Sequence, residues 1–322
     1  SQAEVRYRYG GRRLASLKGG RPFGVIFGLQ MGAGAKNLEQ IMLLTERGVF
    51  PHGARVCDVG ASELHGAALP EAIRSFLDYY VRAGGGGLAS QDISADVLDG
   101  LANGGFLGDL MILAGFEYVA LDIFHAPNTI LFDLNGHEPG PALAGTFDLV
   151  LNFGTTEHVV NQYLALRTIY DLLKVGGVAY HDLPMSGYAG HGYFKYDPQL
   201  FVELARANGA DVMIDRLSVG AEAPAPARIS SSAAVPWRDF GVEFAMRRTS
   251  PAVMRLPLET STSLAVDPAF ARANSEAVRP ADGLPILYEE VFAKPVSNSP
   301  ADSGRARLGA FMERVRGRLQ RS

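Results

Sequence analysis

The stretch "VCDVGASELHG", residues 56–66, decides the fold, because it joins an apolar strand to a loop that turns at a glycine. Apolar residues flank the acid on both sides without a polar alternation, which is typical of a strand covered on both faces. Asp58 stands immediately before the turn at Gly60. A loop that can approach a ligand closely, with a carboxylate at its start, predicts a ligand site at this end of the strand.

The chain alternates strand and helix patterns beyond this stretch. Apolar strands separated by helices of ordinary length predict a parallel sheet covered on both faces. The last two strands are expected to form an antiparallel pair at the edge of the sheet. The predicted strands are 54–60, 118–124, 129–135, 147–154, 178–184, 211–219 and 242–250. The predicted helices are 35–48, 68–81, 106–116, 156–174 and 198–208.

Three regions are predicted along the chain. Residues 1–53 form a helical or irregular N-terminal segment, residues 54–250 form the main domain, and residues 251–322 form a C-terminal extension. Within the main domain, residues 83–108 are interpreted as an insertion that begins in the Gly-rich, flexible "RAGGGGLASQD".

Two further segments are interpreted from composition and periodicity. "GAEAPAPARISSSAAVPW", residues 220–237, is expected to be a surface loop, and a lid over the site is the alternative. The final basic amphipathic helix, residues 303–322, has an apolar side that is expected to pack on the domain or on a second subunit, so a homodimer is possible.

Composition limits the classes of partner. The chain has 322 residues, 47% of them hydrophobic and 20% charged, with a net charge of -4. This balance gives no basic face for nucleic acid. Cys57 is the single cysteine, so no intramolecular disulfide forms, and no apolar run has the length of a signal peptide core or a membrane span. The sequence predicts a cytoplasmic protein with no membrane partner.

Polar side chains end four of the predicted strands: Asp58, Asp122, Asp133 and Asn152. Carboxyl ends of parallel strands meet at one edge of a sheet, where ligands bind. Carboxylates crowded at that edge repel one another unless a ligand offers hydroxyls, amines or positive charge.

The loop after the first strand separates two classes of ligand. A dinucleotide site needs G-x-G-x-x-G to cradle a pyrophosphate, whereas Gly60 is followed by "ASEL" and the turn is flanked by Asp58 and Glu63. These acids repel phosphates. S-adenosylmethionine carries a positive ammonium and a positive sulfonium and has no phosphate, so it is compatible with them.

These motifs, in this order, resemble the class I S-adenosylmethionine-dependent methyltransferases. The resemblance covers 54–250 and rests on "DVGASE", "LD", "FDL", "FDLVLNFGTTEHV" and "LLKVGGVAYH"; residues 153–209 resemble a subgroup found among bacterial glycan and natural-product enzymes. It implies a Rossmann-like seven-stranded sheet with an antiparallel edge strand. It also implies that Asp122 holds the ribose hydroxyls and that Asp133 and Leu134 meet the adenine. The other implied cofactor residues are Asp58, Gly60, Ser62, Ile123, Asn152, Phe153 and Gly154.

Four residues are candidates for the acceptor side: Glu157, His158, His181 and His191. The resemblance places His158 near the transferring methyl group, where an imidazole can accept a proton from a hydroxyl or orient it. Glu157 can instead be a first-turn acid of a helix capped by Thr155 or Thr156. A set of histidines and acids that binds a divalent metal, as in some sugar methyltransferases, is an alternative that the resemblance leaves open. Their spacing has no metal-ligand signature, so the sequence predicts no metal.

The expected function is methyl transfer from S-adenosylmethionine to an oxygen, less readily a nitrogen, of a small molecule or sugar. The "NFGT" stretch lacks the Asn-Pro-Pro-Tyr pattern of nucleic-acid amino methyltransferases. Two alternatives stay open at this point. One is a scaffold protein that keeps the fold without catalysis, and the other is a nicotinamide-dependent oxidoreductase.

Overall fold

The computed structural model describes residues 32–66, 68–188, 190–222, 238–257 and 279–280. The helices are α1 (Ala35–Glu46), α2 (Leu69–Arg82), α3 (Ala95–Ala102), α4 (Leu107–Leu113), α5 (Gln162–Leu172) and α6 (Pro198–Ala207), with 3-10 turns at Ser90–Asp92 and Thr156–His158. The strands are β1 (Arg55–Val59), β2 (Glu117–Asp122), β3 (Thr129–Leu131), β4 (Phe147–Phe153), β5 (Leu173–Ser186), β6 (Asp211–Glu222), β7 (Arg238–Arg247) and β8 (Arg279–Pro280).

The strands form one sheet in the order β3-β2-β1-β4-β5-β7-β6-β8. β1 to β5 pair in parallel, and β7 runs antiparallel to both β5 and β6. Seven strands were expected, and the two-residue β8 adds a short parallel pairing to β6. The predicted Rossmann-like class I methyltransferase fold, a mostly parallel sheet with an antiparallel strand near one edge, is confirmed.

Each face of the sheet has its own hydrophobic core, because side chains along a strand alternate between faces. Val56 and Leu149 point to the core that α1 to α4 cover. Cys57 and Val150, one residue further along, point to the core that α5 and α6 cover. Helices therefore cover both faces, as the continuous apolar runs indicate.

The Gly-rich stretch after α2 is packed at two of its four glycines. A Cβ on Gly87 would stand 2.6 Å from the carbonyl carbon of Ala114, and one on Gly115 would stand 2.2 Å from the carbonyl oxygen of Gly85. A Cβ on Gly84 or Gly86 would meet no atom within 4 Å. Gly85 and Gly87 therefore serve close backbone packing, and the expected flexibility of "RAGGGGLASQD" stays a prediction.

The helix predicted over 156–174 begins later than expected. Thr156–His158 form a single 3-10 turn, and α5 starts only at Gln162, where the Asn161 side chain accepts a hydrogen bond from the Leu164 amide at 3.2 Å. Thr155 and Thr156 do not cap α5. Glu157 therefore lies in this 3-10 turn and not in the first turn of α5, so it is not a first-turn acid of that helix.

Several expectations fall outside the described residues. They concern the N-terminal residues 1–31, most of the 220–237 loop and the basic amphipathic helix at 303–322. The three-region division stays a prediction. Among the helices that the structure describes, none combines the length and the apolar character that crossing a bilayer requires.

A buried ion-pair cluster fastens α1 to the sheet. The fully buried Glu243 of β7 accepts hydrogen bonds from the Arg216 guanidinium, at 2.7 Å from Nε, and from the Tyr180 hydroxyl at 3.3 Å. Lys36, in the first turn of α1, forms an ion pair with the same carboxylate. α1 therefore contacts β6 and β7 through charge as well as through its apolar side.

The change Glu243→Gln should lower the free energy of unfolding by about 3 to 5 kcal/mol, since it leaves the largely buried Arg216 guanidinium without its counter-charge. Urea unfolding followed by circular dichroism measures the loss. The matched control is Glu138→Gln, because its ion pair with Arg167 is exposed. That change should cost no more than about 1 kcal/mol. Equal losses in the two variants would contradict the role given to the cluster.

Candidate functional site

The Asp58 carboxylate holds the loop that follows β1. Its Oδ2 accepts hydrogen bonds from the Ser62 amide at 3.0 Å and the Tyr118 hydroxyl at 2.8 Å, and its Oδ1 accepts one from the Ser62 hydroxyl at 3.1 Å. Asp58 is fully buried, and burial raises the pKa of its carboxyl to about 7 although these hydrogen bonds oppose the rise. Asp58 and Ser62 therefore shape the loop from within rather than present side chains to a ligand.

Gly60 allows the β1 loop to contact the loop after β4. Its φ is 102°, and a Cβ at this position would stand 2.1 Å from Oγ1, 3.1 Å from Cβ and 3.2 Å from Cγ2 of Thr155. Rotating the Thr155 side chain would move Oγ1 away, but its Cβ would stay 3.1 Å from the added atom, and the positive φ would still strain any other residue. Only glycine fits here.

Asp122 lies half-exposed at the end of β2, next to the β1 loop. Its Oδ2 accepts a hydrogen bond from the Ala61 amide at 2.9 Å, and its Oδ1 accepts one from the Phe124 amide at 3.1 Å. The next two side chains are apolar and exposed, Ile123 by 62% and Phe124 by 69%. A carboxylate beside an exposed apolar surface can receive a ligand that is polar on one side and flat and apolar on the other.

Asp133 begins the loop after β3, and the structure places it near the same edge. Its Oδ1 accepts hydrogen bonds from the amide and the side chain of Asn135, which hold the pKa of Asp133 below its usual value. Leu134 is buried. Asn135 Oδ1 in turn accepts from the amides of Val160 and Asn161, so the loops after β3 and β4 are joined.

Asn152 organises the turn after β4 from the interior. Its Oδ1 accepts from the Thr156 amide at 3.3 Å, and its Nδ2 donates to Thr156 Oγ1 at 2.9 Å. Phe153 is buried and meets the Tyr180 ring edge-on. Gly154, partly exposed with φ 73°, is the residue of this trio with backbone open to a ligand.

His181 is an interior residue. It is fully buried, its Nδ1 contacts Asn152 Nδ2 at 3.0 Å, and its ring lies 4.8 Å from the Phe201 ring. Burial lowers the pKa of His181 to about 3, so the imidazole is neutral and accepts the Asn152 amide hydrogen. The sequence placed His181 among the acceptor residues, but the structure gives it no surface for a substrate.

Glu157, His158 and His191 come together. Glu157 Oε1 lies 3.4 Å from His191 Nε2 and 3.9 Å from His158 Nε2, and the two rings meet edge-on with centroids 4.9 Å apart. Glu157 is fully buried, whereas the His158 side chain is 49% exposed. Burial lowers the pKa of His158, although Glu157 opposes this, so a neutral imidazole faces the opening.

The loop that carries His191 is fastened at both ends. The amides of Tyr193 and Phe194 donate to the Glu157 carbonyl oxygen at 2.7 and 3.1 Å. The Tyr188 amide donates to the buried Asp239 carboxylate at 2.6 Å. Of the two tyrosines in this loop, Tyr188 is buried and Tyr193 is 73% exposed, so only Tyr193 offers its ring to solvent.

Sequence reasoning missed several residues that shape the site. Their side chains contact the turns at the carboxyl end of the sheet, and none of them is the last residue of a strand. They are Tyr118, Thr155, Thr156, Lys195, Tyr196 and Asp239. A Thr pair next to "EH" was visible in the sequence, but it was interpreted as a helix cap. Its bonds to Asn152 and Tyr196 depend on the tertiary structure.

Two surface hollows in the described part of the chain lie away from these residues. One is lined by Thr45, Phe50, Asp148 and Lys174 at the amino ends of β4 and β5. The other lies around Arg167 and Arg248. Ligand sites in open α/β sheets lie at the carboxyl ends of strands. The surface at the carboxyl ends of β1, β2 and β4, around Gly60, Asp122 and Gly154, is therefore the better candidate.

No family model and no curated protein sequence matches the chain. Among solved structures, it is similar to the Burkholderia thailandensis 1,6-didemethyltoxoflavin-N1-methyltransferase with bound S-adenosylhomocysteine, at 14% identity over 67% of this chain and 78% of that one, with a TM-score of 0.37. It is also similar to a TehB-like SAM-dependent methyltransferase from Corynebacterium glutamicum, at 15% identity over 66% of this chain and 87% of that one, with a TM-score of 0.34. These values place the chain in no family.

The change Gly60→Ala should lower the free energy of unfolding by about 2 to 5 kcal/mol, because it adds backbone strain and an overlap with Thr155. Gly104→Ala is the matched control, since Gly104 has φ 93° and no atom within 4 Å of the added Cβ. Strain alone should cost the control about 1 to 2 kcal/mol. Urea unfolding of both variants measures the difference.

A double variant isolates the part of the stability loss that is due to the overlap between residue 60 and Thr155. Removing the Thr155 hydroxyl and methyl by Thr155→Ala opens space for a Cβ on residue 60. Gly60→Ala with Thr155→Ala should therefore lose less stability than the sum of the single changes. Strict additivity would show that the two loops do not touch.

Because His181 is buried and neutral, its contribution makes the fold less stable as the solution becomes more acidic. The unfolded chain takes up a proton on this imidazole near pH 6.5 and the folded chain does not, so stability falls as the pH drops from 6.5 towards 3. The slope is at most about 1.4 kcal/mol per pH unit. His181→Asn keeps an acceptor for Asn152 and should remove this part of the slope.

Urea unfolding at several values between pH 7.5 and pH 5 tests the slope. Ile169→Val, a buried change with no titratable group, is the control. It should lower stability by about 1 kcal/mol at every pH. A slope for His181→Asn that matches the native protein would contradict a neutral His181.

Proposed function

We propose that the protein transfers a methyl group from S-adenosylmethionine to an oxygen of a small molecule or sugar. The observation that carries the proposal is the end of the sheet itself. In the order β3-β2-β1-β4-β5-β7-β6, a glycine turn after β1 adjoins a half-exposed acid at the end of β2. The sequence resemblance to class I methyltransferases points to the same two residues, Gly60 and Asp122.

The three backbone amides of the turn at residues 60–62 already donate hydrogen bonds within the chain. The Gly60 amide donates to the Leu121 carbonyl oxygen at 2.8 Å, the Ala61 amide donates to Asp122, and the Ser62 amide donates to Asp58. A dinucleotide site depends on free amides at this turn. This argues against the nicotinamide-dependent oxidoreductase and favours a cofactor that carries no phosphate.

S-adenosylmethionine fits the remaining groups. Each Asp122 oxygen accepts one hydrogen bond from the chain and has a lone pair left for a ribose hydroxyl. Ile123 offers an exposed apolar side chain to the flat adenine, and the ionised Asp133 can accept from its amino group. Gly154 leaves room for the sulfonium end, with Asn152 and Phe153 supporting it from below.

The transfer itself is an in-line displacement at carbon. The acceptor oxygen donates an electron pair to the methyl carbon, the bond from that carbon to sulfur breaks, and S-adenosylhomocysteine leaves as the neutral thioether. Holding donor and acceptor in line provides most of the rate gain. The neutral His158 can accept the proton that the hydroxyl loses, and Glu157 and His191 orient its ring.

The scaffold alternative differs in turnover and not in binding. The glycan or natural-product subgroup, the homodimer and a cytoplasmic location also stay proposals. Identification of the methyl acceptor tests the subgroup, a mass measurement in solution tests the homodimer, and localisation in the source cell tests the location.

Calorimetric titration with S-adenosylhomocysteine tests the cofactor. The native protein should bind it with a micromolar dissociation constant, and Asp122→Ala should weaken binding at least tenfold, or about 1.4 kcal/mol. Asp99→Ala, an exposed acid on α3, is the control and should leave the affinity unchanged. Circular dichroism checks that each variant is folded.

Three results would contradict the proposal. They are the absence of binding by the native protein, equal binding by Asp122→Ala, and tight binding of NADH without any response to S-adenosylhomocysteine. Binding without methyl transfer to any of a broad set of sugars and hydroxylated small molecules would instead support the scaffold protein. Radiolabelled methyl incorporation is the measurement for that step.

A further inference from the structure

The Glu157 carboxylate lacks the partners that a buried charge requires. It is fully buried, and within the described residues neither of its oxygens accepts a hydrogen bond. The ammonium of Lys195, the cation of the adjoining loop, donates instead to the carbonyl oxygens of His191 and Phe194. Burying an unmatched carboxylate costs several kcal/mol, so the fold holds this group in place for a positive partner.

The carboxylate cannot easily turn towards another partner. A Cβ on Gly192 would stand 2.7 Å from Glu157 Cγ, which shows that the loop backbone packs directly against this side chain. The Glu157 carbonyl oxygen also accepts from two amides of the same loop. Its Oε1 is thus kept facing the two imidazoles.

Both imidazoles present the same nitrogen to that oxygen. His191 Nε2 is buried and has no hydrogen-bond partner within the described residues, and it lies 3.4 Å from Glu157 Oε1. His158 Nε2 lies 3.9 Å from the same oxygen. One ligand atom from each of the three side chains lies within 4.8 Å of the others.

One of these separations matches the edge of a metal coordination shell. Two ligand atoms that are each about 2.0 to 2.1 Å from a tetrahedral zinc ion stand about 3.3 to 3.4 Å apart. The Glu157–His191 separation has this value already, whereas the three ligand atoms together span up to 4.8 Å. The His158 side chain, which is 49% exposed and packs edge-on against His191, therefore has to move inwards by about 1 Å to complete the shell.

We propose that Glu157, His158 and His191 bind a divalent transition-metal ion such as zinc. Two imidazole nitrogens and one carboxylate oxygen are typical ligands of zinc, iron and manganese, and they suit magnesium and calcium less well. Three protein ligands leave one position open, as in catalytic sites. The exposed edges of His158 and His191 direct that position to solvent.

The open position gives the metal a role in acceptor recognition. Because the ion would occupy the lone pair of His158 Nε2, it would replace His158 as the group that assists loss of the hydroxyl proton. A bound ion would take an oxygen of the acceptor as a ligand and hold it near the transferring methyl group. The acceptor class would then be a molecule with a metal-binding oxygen, such as a hydroxyl next to a second hydroxyl or a carboxylate. This role depends on the methyltransferase proposal, whereas the metal site itself does not.

Metal binding to the full chain, stripped with a chelator, tests the site without cofactor or acceptor. Zinc is titrated against a competing chromophoric chelator, and cobalt is titrated with its visible absorption as a second readout. The native protein should bind one ion per chain with a micromolar or tighter dissociation constant. Magnesium should bind at least tenfold more weakly.

Three variants remove the ligands singly. Glu157→Gln, His158→Asn and His191→Asn should each weaken zinc binding at least tenfold, and each should lose the cobalt absorption. His158→Asn changes a half-exposed side chain, so it keeps the test valid even if the buried Glu157→Gln does not fold. The control is His125→Asn, an exposed histidine outside the cluster, which should bind as the native protein does.

The absence of stoichiometric zinc binding by the native protein would overturn the proposal. Binding that survives both His158→Asn and His191→Asn would do the same, since the ion would then lie elsewhere. In either case the role of the cluster would be limited to orienting the His158 ring, as in the proposed function. Titration with S-adenosylhomocysteine reports separately on the cofactor, so the two proposals can fail independently.

Discussion

The buried carboxylate of Asp58 is the contact on which the ligand end of the sheet depends. It stands at the end of the central parallel strand, flanked by β2 and β4, and binds Ser62 twice and Tyr118 once. The acid therefore fixes the curvature of the turn that brings Gly60 against Thr155 and Ala61 against Asp122. The pKa of Asp58 is raised because the carboxyl group loses its contact with water when the fold buries it.

The sheet and its polar edge could be predicted because they depend on local patterns. Apolar runs that end in Asp58, Asp122 and Asn152 can be recognised in the sequence alone. The parallel pairing of the strands then brings those ends together. The direction in which a side chain points at a strand end could not be predicted from these patterns. Asp58 and Asn152 both point inwards and organise turns, whereas Asp122 lies at the surface, and no feature of the three strand sequences separates these outcomes.

The acceptor side was harder to predict because its geometry depends on chain segments that are distant in sequence. His181 follows an apolar strand just as Asp122 does, but α6 covers it with Phe201 and excludes it from the surface. His191 reaches Glu157 only because the loop folds back over the 3-10 turn. A 34-residue separation between Glu157 and His191 carries no periodic signal, so neither their contact nor a ligand set could be read from spacing.

The attachment of the His191 loop has a consequence for how this scaffold can diversify. The loop is joined to Asp239 at Tyr188 and to Glu157 at Tyr193 and Phe194, so its length between those anchors is constrained by closure of a small ring. Insertions there would detach His191 from Glu157. The exposed ring of Tyr193, by contrast, makes little contact with the rest of the chain. Exchange of that side chain can therefore alter the surface beside Glu157 without altering the length of the loop.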